Sequence, residues 1–269
     1  MRTLLPLLAV CLSASLFGGN TPLPATEDIL KAVKARQEAM EPLKERVIYT
    51  ETQRLRLSED AKVTDQVDAY EVIRVGKRTL RRQILKAGKP LTEKEAAKQD
   101  VKLLKEAEEA EKAASPESFK NLKIRDINEV CEWDPTREEE GQYILSFHPK
   151  KAFKPKNKVE EFASKLSGVL RVDAKTYDLL TLQGRTEGKI SVALGLGALY
   201  EGAEFRMVQG RQEGGGMLPQ EIEFKGSARM LWKHVDLNLL TTFGDFKTTG
   251  MDSAEITDVK VIEKPETPS

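Results

Sequence analysis

The sequence predicts a mainly antiparallel β protein with a few helices, and three observations lead to that class. Many stretches alternate apolar and polar residues, which is the period of a strand with one dry and one wet face. Glycine-bearing turns separate these stretches at short intervals. The clearest case is a hairpin at residues 167–188, where an apolar strand at 169–172, a polar turn at 173–176 and a leucine-rich returning strand follow one another.

The N-terminal stretch is typical of an export signal. Arg2 precedes an apolar run at residues 4–17, and small residues follow it at residues 18–19. That run is shorter than the roughly 20 apolar residues that span a bilayer comfortably, and its layout is that of a secretory signal peptide. We therefore assign residues 1–19 to a cleaved signal, with residues 13–15 and 18–19 as alternative cleavage sites, and expect an exported protein.

The chain has two cysteines, and only one belongs to the mature protein. Cys11 lies within the predicted signal, so Cys131 has no partner for an intramolecular disulfide. We interpret Cys131 as a half-buried packing residue rather than a nucleophile. Cys11 offers an alternative, lipid attachment that anchors the protein to the outer membrane, although Val10 is larger than the small residue that such sites require.

Charge argues against a polyanionic partner. The chain has 43 basic and 43 acidic residues, and loss of Arg2 with the signal leaves 42 basic ones. The basic residues of RTLRRQILK alternate with apolar ones, as on the wet face of an antiparallel strand, so we expect no nucleic-acid binding. About 250 residues are enough for one large β domain, which we place at residues 26–250.

The first elements of the mature chain are predicted to be a helix and a three-stranded meander. Thr26 with two following acids is a helix start, and apolar residues then recur at helical spacing until Pro42. From residue 46 the period changes to two, which predicts strands at residues 46–57, 67–75 and 79–85.

A long charged helix is predicted next. Thr92 and Glu95 fit a capping box, and the strong helix formers after them predict a helix over about residues 94–114 that lies over one edge of the sheet. The further expected elements are a short one near residues 116–122, a strand or turn at 130–133, strands at 141–149, 189–196, 203–208, 219–225 and 228–238, a short helix at 159–166, and a partly disordered tail at 251–269.

The residues that carry enzyme chemistry are scarce. His148 and His234 are far apart in sequence and Cys131 is the lone mature thiol, so a histidine metal site or a Cys/His dyad is hard to build. G-x-S-x-G does not occur, and aromatics are only 6%, which does not suit a sugar cleft. We expect no catalytic residue, no metal and no cofactor, and therefore no enzyme.

Four features together resemble a known superfamily. They are the exported N-terminal helix followed by basic alternating strands, the hairpin GVLRVDAKTYDLLTLQGR, the strand pair EFRMVQGRQEGGGMLPQEIEFKGSARML and the segment TTFGDFK. In this layout the chain resembles the outer-membrane lipoprotein-sorting and lipoprotein-receptor superfamily, the LolA/LolB-like proteins. The long charged helix departs from that pattern, and the poor lipid-attachment site disfavours a lipid-anchored receptor.

The resemblance implies both a fold and a function. The fold is an incomplete antiparallel β-barrel around an apolar cavity, closed here by the N-terminal helix and the long charged helix. The function is binding and transport of a lipid or a lipoprotein acyl chain in the periplasm, with transient contact to a membrane or a membrane-bound partner. The cavity residues that we predict are Val47, Tyr49, Leu55, Ile73, Leu80, Tyr143, Leu145, Phe147, Leu170, Val172, Leu180, Leu182, Phe205, Ile222, Phe224 and Trp232.

Two questions stay open at the level of sequence. In the superfamily an arginine on an early strand helps to hold the lid, and the sequence does not choose among Arg54, Arg56, Arg74, Arg78, Arg81 and Arg82. The alternative function is an envelope sensor or scaffold that binds another protein through the same half-barrel. A hollow apolar face would favour the carrier, and a barrel filled by its own side chains would favour the scaffold.

Overall fold

The computed structural model describes residues 23–44, 47–59, 62–75, 78–110, 124–192, 197–212, 216–230 and 233–248. The predicted signal peptide with Cys11, the element expected near residues 116–122, the C-terminal tail and Trp232 lie outside the described residues.

The N-terminal helix, α1, extends over Thr26–Lys44, with two acids in its first turn and Pro42 near its end. Acidic side chains there interact favourably with the helix macrodipole. The long charged helix, α2, extends over Glu93–Ala110. Its predicted capping box is confirmed, because the Thr92 hydroxyl donates to the Glu95 carboxylate at 2.8 Å and the Thr92 amide donates to it at 3.1 Å. Two short helices follow, α3 at Ile124–Val130 and α4 at Lys158–Ala163.

The described strands form one sheet of 14 strands, and all paired neighbours are antiparallel. This confirms the predicted class, mainly antiparallel β with a few helices. The strands are β1 (Val47–Glu59), β2 (Lys62–Val75), β3 (Arg78–Lys86), β4 (Lys89–Pro90), β5 (Cys131–Trp133), β6 (Arg137–Glu139), β7 (Gln142–Pro149), β8 (Leu166–Asp173), β9 (Leu179–Thr186), β10 (Ile190–Val192), β11 (Gly197–Leu199), β12 (Glu204–Arg211), β13 (Met217–Met230) and β14 (Lys233–Thr248).

The order of the strands is that of an open sheet. Its path runs β4-β3-β2-β1-β14-β13-β12-β9-β8-β7-β5, with β10 and β11 attached to β13 and β6 attached to β7. Neighbours are mostly consecutive hairpins, and the main long-range pairing joins the first strand to the last, with Leu55 opposite Leu239. The two ends of the path, β4 and β5, are not paired with each other, so the described strands do not close into a barrel.

Alternation divides the sheet into two faces. We call one the inner face, defined by the row Leu145, Leu170 and Leu182, which lie directly opposite one another on β7, β8 and β9. The other is the reverse face. On the inner side of β7 to β9, the core cluster combines these leucines with Ile29 of α1, Ile127 of α3 and further buried residues of α1, α3 and α4. These three helices therefore cover one half of the inner face.

The long helix α2 occupies a different place. Its Asp100 accepts a hydrogen bond from Arg82 of β3 at 2.8 Å, and its Gln99 contacts Gln83, the next residue of the same strand. Consecutive strand residues point to opposite faces, so α2 runs along the edge of β3. The expected position over one edge of the sheet agrees with this contact. The expectation that α1 and α2 close the inner face together was wrong, because α1 packs on the half of the sheet that lies far from α2. A helix over an edge strand also protects unpaired backbone groups.

Candidate functional site

The half of the inner face that the helices cover is a closed core. Leu145, Leu170 and Val172 are fully buried, and Phe147 and Leu182 are nearly so. The side chains of this half therefore pack against α1, α3 and α4, and the space beside them is filled by the protein itself.

The rest of the inner face is apolar and partly buried: Phe205 packs against the covered core, and Phe224 packs against a second buried cluster formed by Ile190, Leu199, Ala203, Ala228 and Val235. Register places Phe205 of β12 opposite Phe224 of β13, Phe224 opposite Leu239 of β14, and Leu239 opposite Leu55 of β1. All four side chains are partly exposed. We call these four residues the apolar row. Strands lie about 4.8 Å apart, so the row extends over about 14 Å.

Neighbouring positions widen the apolar row on both sides. Met207 and Ile222 stand opposite each other one step along β12 and β13, and both are half-buried. Leu57 and Leu237 form the next inner-face pair on β1 and β14, also half-buried. The described residues therefore show a continuous apolar surface across four adjacent strands.

An aromatic group lies farther along β1 and β14. The Tyr49 ring is 5.8 Å from the Phe243 ring and 5.8 Å from the Phe246 ring, both in tilted geometry. The pairing of β1 with β14 shifts at this point, and Asp245 has a φ of 51°, in the left-handed region. That irregularity brings Phe243 and Phe246 to the same tyrosine.

A buried ion pair borders the apolar surface. Glu51 is only 5% exposed, and its Oε1 lies 2.8 Å from Nη2 of Arg81. Gln53, two residues along β1, donates to the same oxygen at 2.7 Å. The Arg81 guanidinium also lies over the Tyr70 ring, 4.2 Å from its centroid. Glu51, Gln53, Tyr70 and Arg81 are all inner-face positions by register.

The strand register and the contacts therefore distinguish the early-strand arginines from one another. Arg81 faces inward, whereas Arg54 and Arg56 are exposed at reverse-face positions and Arg82 binds α2. The side chains of Arg74 and Arg78 lie outside the described residues.

The structure distributes the predicted cavity residues over four environments. Tyr143, Leu145, Phe147, Leu170, Val172 and Leu182 are buried under the helices, and Val47, Tyr49, Leu55, Phe205, Ile222 and Phe224 are half-buried on the open half of the inner face. Ile73 and Leu80 pair with each other but alternate with Val72 and Arg81, so they lie on the reverse face. A register shift in β9 places Leu179 opposite Val172 and leaves Leu180 half-buried, and Trp232 is outside the described residues.

Sequence reasoning missed several inner-face residues. The predicted strand ended at residue 238, whereas β14 continues to Thr248 and supplies Leu239 and Phe243 to the inner face. The alternation VDLNL was a usable signal for the first part of this strand, but LLTT breaks it. Glu51 carried no such signal, and Arg81 was one of six candidate arginines that the sequence did not separate, because charged residues in alternating strands are usually solvent-facing.

A recess of about 440 Å³ is lined mainly by reverse-face residues, and Phe205 of the apolar row is also among its lining residues. Its walls carry polar and charged side chains from β8, β9, β12 and β13, among them Arg185, Glu204, Arg206 and Lys225. Gly168 and Gly184 also line it. Charged side chains border this recess beside apolar surface, so it is not the wholly apolar cavity that the resemblance implies.

One polar network fixes α1 to the sheet. Asp178, in the turn before β9, is almost fully buried, and its Oδ1 lies 2.6 Å from Nε of Arg36 on α1. Its Oδ2 accepts from Nη2 of Arg211 at 2.7 Å and from the Thr176 hydroxyl at 2.9 Å. Every oxygen of the buried carboxylate is thus satisfied by a charged or polar donor, and α1 is held in place over the covered half.

Groups for covalent or metal chemistry are sparse in the part of the chain that the structure describes. Within it, no cluster of three or more His, Cys, Asp or Glu residues could hold a metal ion. Cys131 is 1% exposed, and burial raises the pKa of its thiol to about 12. None of the described helices is both long enough and apolar enough to cross a membrane.

Fold and site together define an antiparallel β protein with an open sheet, whose inner apolar face is half covered by helices. No protein-family model and no curated protein matches the chain. A proposed outer membrane lipoprotein-sorting protein domain from Vibrio parahaemolyticus is 10% identical, with 85% of this chain and 96% of that chain covered and a TM-score of 0.40.

Two further solved structures are similar. A DUF1329 family protein from Desulfovibrio piger is 10% identical, covers 85% of this chain and 95% of its own, and gives a TM-score of 0.34. A chain of the Pseudomonas aeruginosa MucA/MucB complex is 8% identical, covers 83% of this chain and all of its own, and gives a TM-score of 0.24.

Proposed function

We propose that the protein is a non-enzymatic carrier in the periplasm, and that the open half of its inner face binds an acyl chain of a lipid or a lipoprotein. The observation that carries this proposal is the apolar row, Phe205, Phe224, Leu239 and Leu55, which is continuous across four strands and partly buried. In the same proposal, residues 26–250 form one domain.

The strength of such binding follows from the hydrophobic effect. Roughly a dozen methylenes, at about 0.8 kcal/mol each, give about 10 kcal/mol when fully buried. Loss of translational freedom and ordering of the chain oppose this gain, so a dissociation constant near the micromolar range is expected. No covalent step is needed for loading or release.

The size of the surface favours an acyl chain over a protein partner. A stable protein interface buries about 800 Å² on each side. The apolar row with its flanking pairs presents partly buried side chains in a strip about 14 Å long, which matches a narrow, flexible, apolar ligand better than a folded surface. All four members are apolar, so the strip offers such a ligand no unpaired charge.

A pair of leucine variants on one strand tests this proposal. Leu239 belongs to the apolar row, whereas Leu240, the next residue of β14, is half-buried on the reverse face, opposite Arg54. Leu239→Gln and Leu240→Gln therefore make the same chemical change on opposite faces of the same strand. Binding of a fluorescent acyl probe, displaced by lysophosphatidylcholine, is measured for the wild type and both variants.

We expect the wild type to bind the probe, Leu239→Gln to weaken binding about tenfold, and Leu240→Gln to change it less than threefold. Native mass spectrometry of the wild type should show a mass shift of one lysolipid. A wild type without displaceable binding or mass shift contradicts the proposal, and equal effects of the two variants contradict the assignment to the inner face. Binding of a purified envelope protein that is lost in Leu239→Gln, with no lipid binding, would support the scaffold instead.

A further inference from the structure

The ion pair of Glu51 and Arg81 lies beside the surface on which the acyl chain is proposed to bind. Along β1, Gln53 separates Glu51 from Leu55 of the apolar row, and Thr241 stands opposite Gln53 on β14. Residues four apart in a strand are about 13.6 Å apart, which is within the length of an extended twelve-carbon chain that crosses the sheet obliquely.

Two hydrogen-bond donors of Arg81 are not used. Nε and Nη2 are buried and have no hydrogen-bond acceptor among the described residues. Nη2 is close to Glu51, at 2.8 Å, but the pair is not aligned as a hydrogen bond. A buried donor without an acceptor is unfavourable, and an acceptor brought by a ligand would remove that cost. The Arg81 side chain as a whole is 32% exposed through its other atoms, whereas Nε and Nη2 themselves are covered.

The charge at this position is already balanced. Glu51 neutralises Arg81, and its carboxylate is held in place by the Gln53 amide at 2.7 Å. A second anion beside Arg81 would be repelled by Glu51, and the repulsion is strong because the surroundings are poorly hydrated. The site therefore offers hydrogen-bond donors without net positive charge.

We propose that Arg81 binds a neutral carbonyl oxygen at the head of the acyl chain, the ester carbonyl of an acylglycerol or the amide carbonyl of an N-acyl group, and discriminates against a free carboxylate or a phosphate. The guanidinium donates to the carbonyl oxygen, Tyr70 supports the guanidinium plane from one side, and Glu51 sets the specificity by excluding anions. This inference rests on the proposed function, because it assigns the polar end of the ligand that the apolar row would hold.

The test compares two ligands of equal chain length, monolauroylglycerol and laurate, by competition against a fluorescent acyl probe at pH 8. The wild type is expected to prefer the ester about tenfold. Glu51→Gln removes the anion next to Arg81 and keeps the shape of the side chain, so it is expected to raise the affinity for laurate at least tenfold and to remove the preference. The matched control is Glu71→Gln, the same acid-to-amide change on β2. Glu71 is half-exposed and is paired with Thr50 of β1.

A second variant keeps the test decisive if Glu51→Gln does not fold. Arg81→Lys retains the charge but loses the planar guanidinium, and it is expected to reduce the preference for the ester at least threefold. If the wild type binds both ligands equally, or if the tested variants leave the preference unchanged, the inference is overturned and the proposed function stands. If the wild type binds neither ligand, the proposed function itself fails.

Discussion

Replacing Gly168 by alanine tests how closely β8 and β9 approach each other. A Cβ atom at this position would lie 2.1 Å from the Gln183 carbonyl oxygen, 2.8 Å from the Gly184 Cα and 2.9 Å from Cζ of Phe147. The first two are backbone atoms of the paired strand, so relief requires the strands to separate. Overpacking of a filled core costs about 1–3 kcal/mol, and contacts with backbone place Gly168→Ala at the upper end, about 3 kcal/mol.

Differential scanning calorimetry measures this loss, and Gly188→Ala is the matched control. A Cβ atom at Gly188 meets nothing within 4 Å, so this variant is expected to remain within about 1 kcal/mol of the wild type, on the stabilising side. For a domain of this size, 1 kcal/mol corresponds to about 2–4 °C in Tm, so Gly168→Ala is expected to melt about 6–12 °C lower. Equal melting temperatures for the two variants would refute the register of β8 and β9.

Three further predictions concern single contacts. Asp178→Asn removes the buried charge that holds Arg36 of α1 and is expected to lower the free energy of unfolding in urea by about 3 kcal/mol, whereas an unchanged midpoint would show that α1 is held otherwise. Burial raises the pKa of Cys131 to about 12, so its thiol is expected to resist a thiol reagent at pH 8 until urea unfolds the protein, and native stability is expected to fall as pH rises above 9. Hydrogen bonds from Thr92 lower the pKa of Glu95 to about 2, and NMR titration of Thr92→Ala is expected to show this pKa moving up toward 4.5; no movement would contradict the capping box.

The turn between β8 and β9 and the capping box of α2 could be predicted from sequence, because each depends on residues that are close together in the chain. The turn at residues 173–176 separates β8 from β9 as predicted, and the side-chain oxygen Oδ1 of Asp173 accepts from the amides of Lys175 and Thr176. Such an Asx-type turn is readable from a few adjacent residues. The capping box at the start of α2 is of the same kind.

The sequence could not show which face of the sheet a residue occupies where two apolar residues are adjacent. In β2, Val72 and Ile73 are consecutive, so both faces of the strand are apolar and alternation cannot choose between them. The pairing partners decide, and they place Ile73 on the reverse face. In β9 the doublet Leu179 and Leu180 has the same ambiguity, and a register shift that no local pattern announces selects Leu179 for burial.

The candidate site depends on pairing that is distant in sequence. Leu55 and Leu239 are neighbours only because the first long strand pairs with the last. The same pairing places Phe243 opposite Glu51, an acid within an ordinary polar stretch of β1. Sequence could therefore indicate which residues are apolar, but not which of them would be covered by helices and which would stay half-exposed.

Photocrosslinking tests the central claim, binding of an acyl chain on the open half of the inner face, most directly. A fatty acyl ester with a diazirine at the end of its chain is bound to the full-length protein, irradiated, and mapped by peptide mass spectrometry. The account predicts adducts on β1, β13 and β14 at inner-face positions such as Leu55, Phe224 and Leu239, competed away by unlabelled lipid. Adducts that map to Leu240 and other reverse-face positions, or that unlabelled lipid does not remove, would contradict it.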